Sequence, residues 1–154
     1  NEEFTLAKTL NLPRIKSAGG LVYNDNYHIL LIFKRGKWDL PKGRFELDTD
    51  PVDTALREIS EETGLDREKL TVKDKLVSTW HTTRYDKTKY LKKTNWYLVH
   101  YRGADSDVSP QFSEGIIECR WVHLPDLDKY RPLLLARIEY VIDFWLQNIA
   151  YAPR

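Results

Sequence analysis

The chain of 154 residues carries 24 Lys and Arg against 23 Asp and Glu, a net charge of +1, so no global field draws it toward nucleic acid or an acidic membrane. Apolar residues make up 42% and include 5 Trp, 9 Tyr and 5 Phe, which excludes a disordered chain and suits one compact domain over residues 1–154. The lone Cys119 excludes an internal disulfide and fits a reducing, cytoplasmic setting, and no apolar run reaches the roughly 18 residues of a membrane span.

In chain order, residues 17–23 and 28–34 read as a hairpin turned by Asn24-Asp25-Asn26. Asp39-Leu40-Pro41-Lys42-Gly43 is a turn entering a loop. A helix follows, with Asp50 at its N-cap, Pro51 at N1, Asp53 at N3 and Gly64 at C′. Its expected buried stripe is Val52, Ala55, Leu56, Ile59 and Thr63. Residues 70–80 read as extended, and 81–94 as a basic loop, either a phosphate clamp or a solvated hairpin tip, holding Arg84, Lys87, Lys89, Lys92 and Lys93 against Asp86 alone. Alternation over 95–101 and the run 117–123 suit strands, with a polar turn at 103–110 between them. Cys119 falls in the second of these as a core residue. His28, His100 and His123 sit in strand patterns and suit satisfied sheet positions. Pro132 is the expected start of a closing helix whose stripe is Leu134, Ile138, Val141, Trp145 and Ile149. Helices separating short strands predict an α/β/α sandwich with a mixed sheet.

The chemistry concentrates in the first helix. Glu58, Glu61 and Glu62 stand at i, i+3 and i+4 and project from one face. A glutamate pair on a helix is ordinarily solvated surface, but like charges so spaced cost a few tenths of a kcal/mol per pair. Converging carboxylates behind a glycine loop are what a hard divalent cation such as Mg²⁺ requires, completed by waters and phosphates. The pattern therefore points to metal-assisted chemistry on a phosphorylated substrate.

Residues 43–65 resemble the Nudix box: Gly43, Arg57, Glu58, Ile59, Glu61, Glu62, Gly64 and Leu65 fall on its defined positions at the right spacing. Thr49 stands where that pattern has its first Glu, a loop-organising position, and Asp48 and Asp50 flank it. Ser17–Tyr23, Trp38–Gly43 and Glu118–Val122 extend the resemblance over roughly residues 15 to 149. The resemblance implies a Nudix-like α/β/α sandwich and a hydrolase acting on a pyrophosphate bond with Mg²⁺, or with Mn²⁺ in its place. It implies Glu58, Glu61, Glu62 and the carbonyl of Lys42 as metal ligands, Glu114 as a further carboxylate with Glu118 second, and Glu58 or Glu61 as base. Arg57 would fix a carboxylate rotamer.

On the substrate side, Arg35, Lys42 and Arg44, with Lys34 and Lys37, crowd the approach to the box, and Arg84 and Lys92 lead the second basic group as a polyphosphate clamp. Trp38, His81, Tyr85 and Tyr90 are candidates for stacking a base. A dinucleoside polyphosphate is the favoured substrate, since Trp38-x-Leu40-Pro41-Lys42-Gly43 resembles the branch acting on those and on inositol pyrophosphates. ADP-ribose or another nucleotide sugar, a nucleoside triphosphate, and a non-catalytic nucleotide sensor are the alternatives. Near-zero net charge and the lack of an accessory RNA-binding region count against RNA decapping. The expected partner is a small nucleotide, with no membrane and a monomer or homodimer.

Overall fold

In a computed structural model, residues 11–46 and 49–151 are described. Strands β1 (Arg14–Tyr23), β2 (Ile29–Lys34), β3 (Lys37–Asp39) and β4 (Lys42–Arg44) precede helix α1 (Pro51–Thr63). Strands β5 (Leu70–Tyr85), β6 (Thr88–Tyr101) and β7 (Ile116–Val122) and helix α2 (Ala136–Tyr151) follow. All seven strands join one mixed sheet, ordered β3-β2-β1-β6-β5, with β4 added to β1 and β7 to β2. No helix among the described residues is long and apolar enough to cross a membrane.

Alternation along the strands builds two cores. Leu21, Leu31 and Trp96 point to one side, where Ile138, Val141, Ile142 and Trp145 of α2 cover them. Ala18, Val22, Tyr97 and Val99 point to the other, under Ala55 and Ile59 of α1. The expected sandwich is thus the observed one.

Helix α1 forms as its sequence dictates. The Asp50 carboxylate accepts the Val52 N–H at 2.7 Å, Pro51 follows, and Gly64 ends the helix at φ 75°, returning its N–H to the Ser60 carbonyl. The stripe shifts slightly from expectation. Thr54 and Glu62 are buried with Ala55, Ile59 and Thr63, while Val52 and Leu56 are only partly covered at the edge of the core.

Five expectations are corrected. The β1–β2 hairpin is paired only at Tyr23–Ile29; beyond it β1 takes β4 and β6, and β2 takes β3 and β7, so the strands splay apart. The basic stretch 81–94 is no loop: β5 and β6 run through it and close on a two-residue turn, Asp86 and Lys87, at φ 46° and 68°. Pro132 lies in a short 3₁₀ turn, Arg131–Leu133, and α2 starts only at Ala136. Ile149, near the end of α2, is exposed and lies outside the buried stripe. Of the histidines, His100 lies within β6 and pairs with Asp25 at 2.6 Å, whereas His28 and His123 flank their strands and pack edge-on at 5.2 Å.

Ile59, fully buried, seats α1 on β1, where even a methyl group on Gly20 would lie 2.6 Å from its Cδ1. Ile59→Ala should cost roughly 2–5 kcal/mol. Urea unfolding should show a lower midpoint with an unchanged m-value.

Candidate active site

One cleft of about 900 Å³ gathers most of the singled-out residues. Its acidic wall is Glu58, Glu61 and Glu62 of α1 with Glu46 and Glu114; its basic wall includes Lys34, Arg35, Lys42, Arg44, Arg84, Lys92 and Arg137. Strand β4 lines this cleft with the box loop, joined by Lys34 of β2 and by Lys37 and Asp39 of β3.

The loop and the helix meet at two contacts. Glu62, only 6% exposed, accepts the Lys42 N–H on Oε1 at 3.0 Å. A Cβ at Gly43 would fall 1.9 Å from the Glu58 Cδ, so the missing side chain is the space Glu58 occupies. Arg57 organises the exposed side. Its Nη1 lies 2.8 Å from Glu58 Oε1 and 3.4 Å from both Glu61 and Glu46, and its Nη2 reaches the Arg44 carbonyl at 3.4 Å.

Thr49 knits the loop in its own way. Its hydroxyl donates to the Glu46 carbonyl at 2.6 Å and stands 3.2 Å from the Thr54 hydroxyl on α1. A short side chain so ties the loop to the helix at the position where the box pattern has a carboxylate. Asp50 is committed to the helix cap, and Asp48 lies outside the described residues.

Burial raises the Glu62 carboxyl to about 7, with Lys42 and Lys34 only partly countering it. Burial also raises Glu58, against the opposing charge of Arg57. Both shifts come chiefly from desolvation, and the two carboxylates share the cleft with Lys42, whose backbone carbonyl the resemblance names as a further donor. That all-oxygen donor set suits a hard divalent cation. As they stand, Glu58 turns to Arg57 and Glu62 to the Lys42 N–H, and among the described residues no three acidic, imidazole or thiol groups are already gathered as a ligand set. A cation would draw them together on the face they already share.

The loop after β6 brings Glu114 and Gln111 to the cleft through the backbone. The Ser109 N–H donates to the Thr63 carbonyl at 2.7 Å and the Gln111 N–H to the Glu62 carbonyl at 3.2 Å. Glu118 instead pairs with Arg120 on β7 and does not line the cleft. Cys119 is half-buried beneath, its thiol pushed up to about 12 by burial and by Glu62.

The second basic group divides by strand alternation. Lys92, nearly buried, turns into the cleft and donates to the Tyr85 hydroxyl at 2.9 Å, and Arg44 stands 4.8 Å over the Tyr85 ring. Burial pushes the Tyr85 phenol up, but Lys92 and Arg44 outweigh it and hold the phenol below its usual value. Lys89 and Lys93 do not line the cleft. Arg84 is at its rim. Lys42 Nζ is held by Asp39.

Among the stacking candidates, His81 and Tyr85 line the cleft, and Tyr90 packs on Tyr85 with ring centres 6.0 Å apart. Trp38 does not: it is 8% exposed in the core, wedged between Phe33 and Tyr130. His81 is lowered to about 4 by burial and by Arg137, Lys92 and Lys42, and its buried Nδ1 has no partner.

Leu135 and Arg137 were not foreseen. They reach the cleft because the Leu135 N–H donates to the Trp38 carbonyl at 3.2 Å, a long-range contact that leaves no mark in local sequence.

A mixed sheet between two helices, with an acidic helix face set against a glycine loop in a cleft that also gathers basic side chains, defines a class of proteins that handle phosphate anhydrides. The NUDIX domain profile matches residues 13–144, and the chain belongs to the Nudix hydrolase family. It is 34% identical over 106 residues to a protein named RNA pyrophosphohydrolase from Roseobacter denitrificans, an alignment covering 58% of this chain and 62% of that protein. The Rickettsia conorii protein of the same name is 26% identical over 140 residues, covering 78% of this chain and 81% of the relative. Among solved structures, the Ap4A hydrolase of C. elegans superposes with a TM-score of 0.66 at 22% identity, covering 88% of this chain and 98% of that one. The MutT protein of Methanosarcina mazei gives 0.63 at 24% identity, over 90% of this chain and 97% of that one.

Glu62 and His81 pull stability in opposite directions with pH. Glu62 keeps its proton in the folded state up to about 7, whereas the unfolded carboxyl loses it near 4.5, so the Glu62 contribution falls as pH rises through that window. His81 is lowered from 6.5 to about 4, so its contribution falls as pH drops through that window. In chelator, Glu62→Gln should therefore gain stability relative to wild type between pH 4.5 and 7, by up to roughly 3 kcal/mol. His81→Gln should gain relative to wild type as pH falls from 6.5 to 4. Thermal melts across pH check both, and curves parallel to wild type would refute the shifts.

Proposed function

We propose that the protein is a divalent-metal-dependent pyrophosphohydrolase acting on nucleoside 5′-polyphosphates, with a dinucleoside polyphosphate as preferred substrate. The observation that carries this reading is the cleft itself, which gathers Glu58, Glu61 and Glu62 with Arg35, Arg44, Lys92 and Arg137. Its volume of about 900 Å³ admits a nucleotide with several phosphates. The whole is read as one catalytic domain in a reducing, cytoplasmic setting.

Glu61, Glu62, Glu58 and the Lys42 carbonyl would hold Mg²⁺, or Mn²⁺. When bound, the ion neutralises phosphate charge and acidifies a water. Everything else falls to the chain. Arg57 keeps Glu58 and Glu61 on one face, and Gly43 lets the Glu58 carboxylate lie against the loop. Glu58, raised by burial, is the stronger candidate for taking the proton from water. Lys92, Tyr85 and Arg44 form a compact donor group for phosphate oxygens, and Arg84 at the rim meets the outer end of the chain. His81 is neutral near pH 7 and serves as a hydrogen-bonding or stacking group beside Lys92.

An RNA bearing a 5′-polyphosphate is the second reading, because the relatives named RNA pyrophosphohydrolase align with most of this domain. It offers the cleft the same anhydride on the same nucleoside.

Glu61→Gln and Glu62→Gln should each lower Mg²⁺-dependent turnover of a dinucleoside tetraphosphate by at least a hundredfold, over 2.7 kcal/mol of barrier, while the protein stays folded. Wild-type rates in both would dismiss the site. Lys92→Ala should lower kcat/KM for the tetraphosphate more than for ADP-ribose, since its contact serves the longer phosphate chain. An unchanged ratio between the two substrates removes Lys92 from phosphate recognition.

A further inference from the structure

The two basic strands that supply Lys92 to the cleft present a second surface on their opposite side. Register fixes its composition. Lys16 of β1, Lys93 of β6 and Trp80 of β5 are direct neighbours on one rung. Arg14, Leu91 and Thr82 make the next, with Leu91 buried and Thr82 also reaching the cleft, and Lys89 with Arg84 the one after. Register partners share a face, and rungs of one face recur about every 6.7 Å along a strand. This region has no bulge, so the alternation holds across it.

Trp80 is 48% exposed, a large apolar ring left in water on the edge strand β5. Two cations flank it: Arg14 lies 5.9 Å and Lys93 5.4 Å from its ring centre. Arg14, Lys16, Arg84 and Lys89 are exposed as well. Asp86, at the hairpin turn, is the sole acidic residue between positions 75 and 104. A ladder of cations around one exposed aromatic is poorly suited to a protein core partner and well matched to a strand of phosphates with stackable bases. The net charge of +1 conceals this patch, because the acidic face of α1 and its neighbours offset it in the sum.

We propose that this outer face of the β5–β6 hairpin binds single-stranded RNA, Trp80 stacking a base while Arg14, Lys16, Lys89 and Lys93 follow the backbone. Arg84 both belongs to this ladder and lines the cleft rim, so the track runs into the catalytic site. RNA is favoured over DNA because chains begun from a nucleoside triphosphate carry the 5′-polyphosphate that the cleft would accept. That last step rests on the pyrophosphohydrolase reading; the binding surface itself does not.

The test uses a short, 3′-labelled oligouridine with a 5′-hydroxyl, which has nothing for the cleft to hydrolyse. Fluorescence anisotropy should show binding that weakens with salt. Trp80→Ala should weaken it roughly 5- to 100-fold. Lys89→Glu/Lys93→Glu should weaken it further and flatten the slope of log K against log salt by about 0.7 per lost contact. Both variants should hydrolyse a dinucleoside tetraphosphate at the wild-type rate, showing an intact fold and cleft. Absence of binding at low salt, or binding that neither variant weakens, overturns the proposal. So does binding to phosphatidylserine vesicles without binding to RNA. A protein that binds the oligouridine through Trp80 yet hydrolyses no nucleotide instead sinks the catalytic reading and leaves the surface standing.

Discussion

The close approach of the Glu58 carboxylate to the Gly43 backbone is the contact on which the site depends. It is a steric constraint first, since any side chain at position 43 would occupy the place of the carboxylate. Once the helix and loop are that near, the Lys42 N–H can satisfy Glu62, and Arg57 can span Glu46, Glu58 and Glu61 from the solvent side. The electrostatics follow from that proximity. Glu62 is desolvated because the loop covers it, and the covering is also what raises its pKa. A looser loop would return these carboxylates to water and to ordinary acidity.

Strand alternation does comparable work on the substrate side. Consecutive residues Lys92 and Lys93 look equivalent in sequence, yet the pleat sends one into the cleft beside Tyr85 and the other to Trp80 on the opposite face. One charged hairpin thereby serves two surfaces, and Arg84 joins them at the rim. Net charge could not show this, because it counts residues without regard to the side they face.

Much of the site was legible in the residues because its determinants are local. Asp50, Pro51 and Gly64 fix where α1 begins and ends, and the spacing of Glu58, Glu61 and Glu62 follows from helical geometry alone. What was misread depends on distant partners. Lysine-rich 81–94 reads as a loop by propensity, and cross-strand pairing overrides that preference. Trp38 reads as a ring able to stack a base near the box, but Phe33 and Tyr130 close over it. Pro132 suits the first turn of a helix, yet α2 is delayed until Leu135 has been caught by the Trp38 carbonyl. The splitting of β1 from β2 has no local signature at all.

The segment from Ser109 to Glu114 is fastened to the end of α1 by main-chain amides giving to main-chain carbonyls, with no side chain in either link. Such an attachment is indifferent to which amino acids occupy the segment. Gln111 and Phe112 can therefore be exchanged without loosening the helix, whereas Glu114 is itself part of the acidic wall, and Phe112 is already 70% exposed. Preference among substrates can drift at this edge while the hydrolytic apparatus stays where it is. The fold separates the part that must persist from the part that is free to vary, and a library randomised at these positions would search selectivity with little risk to folding.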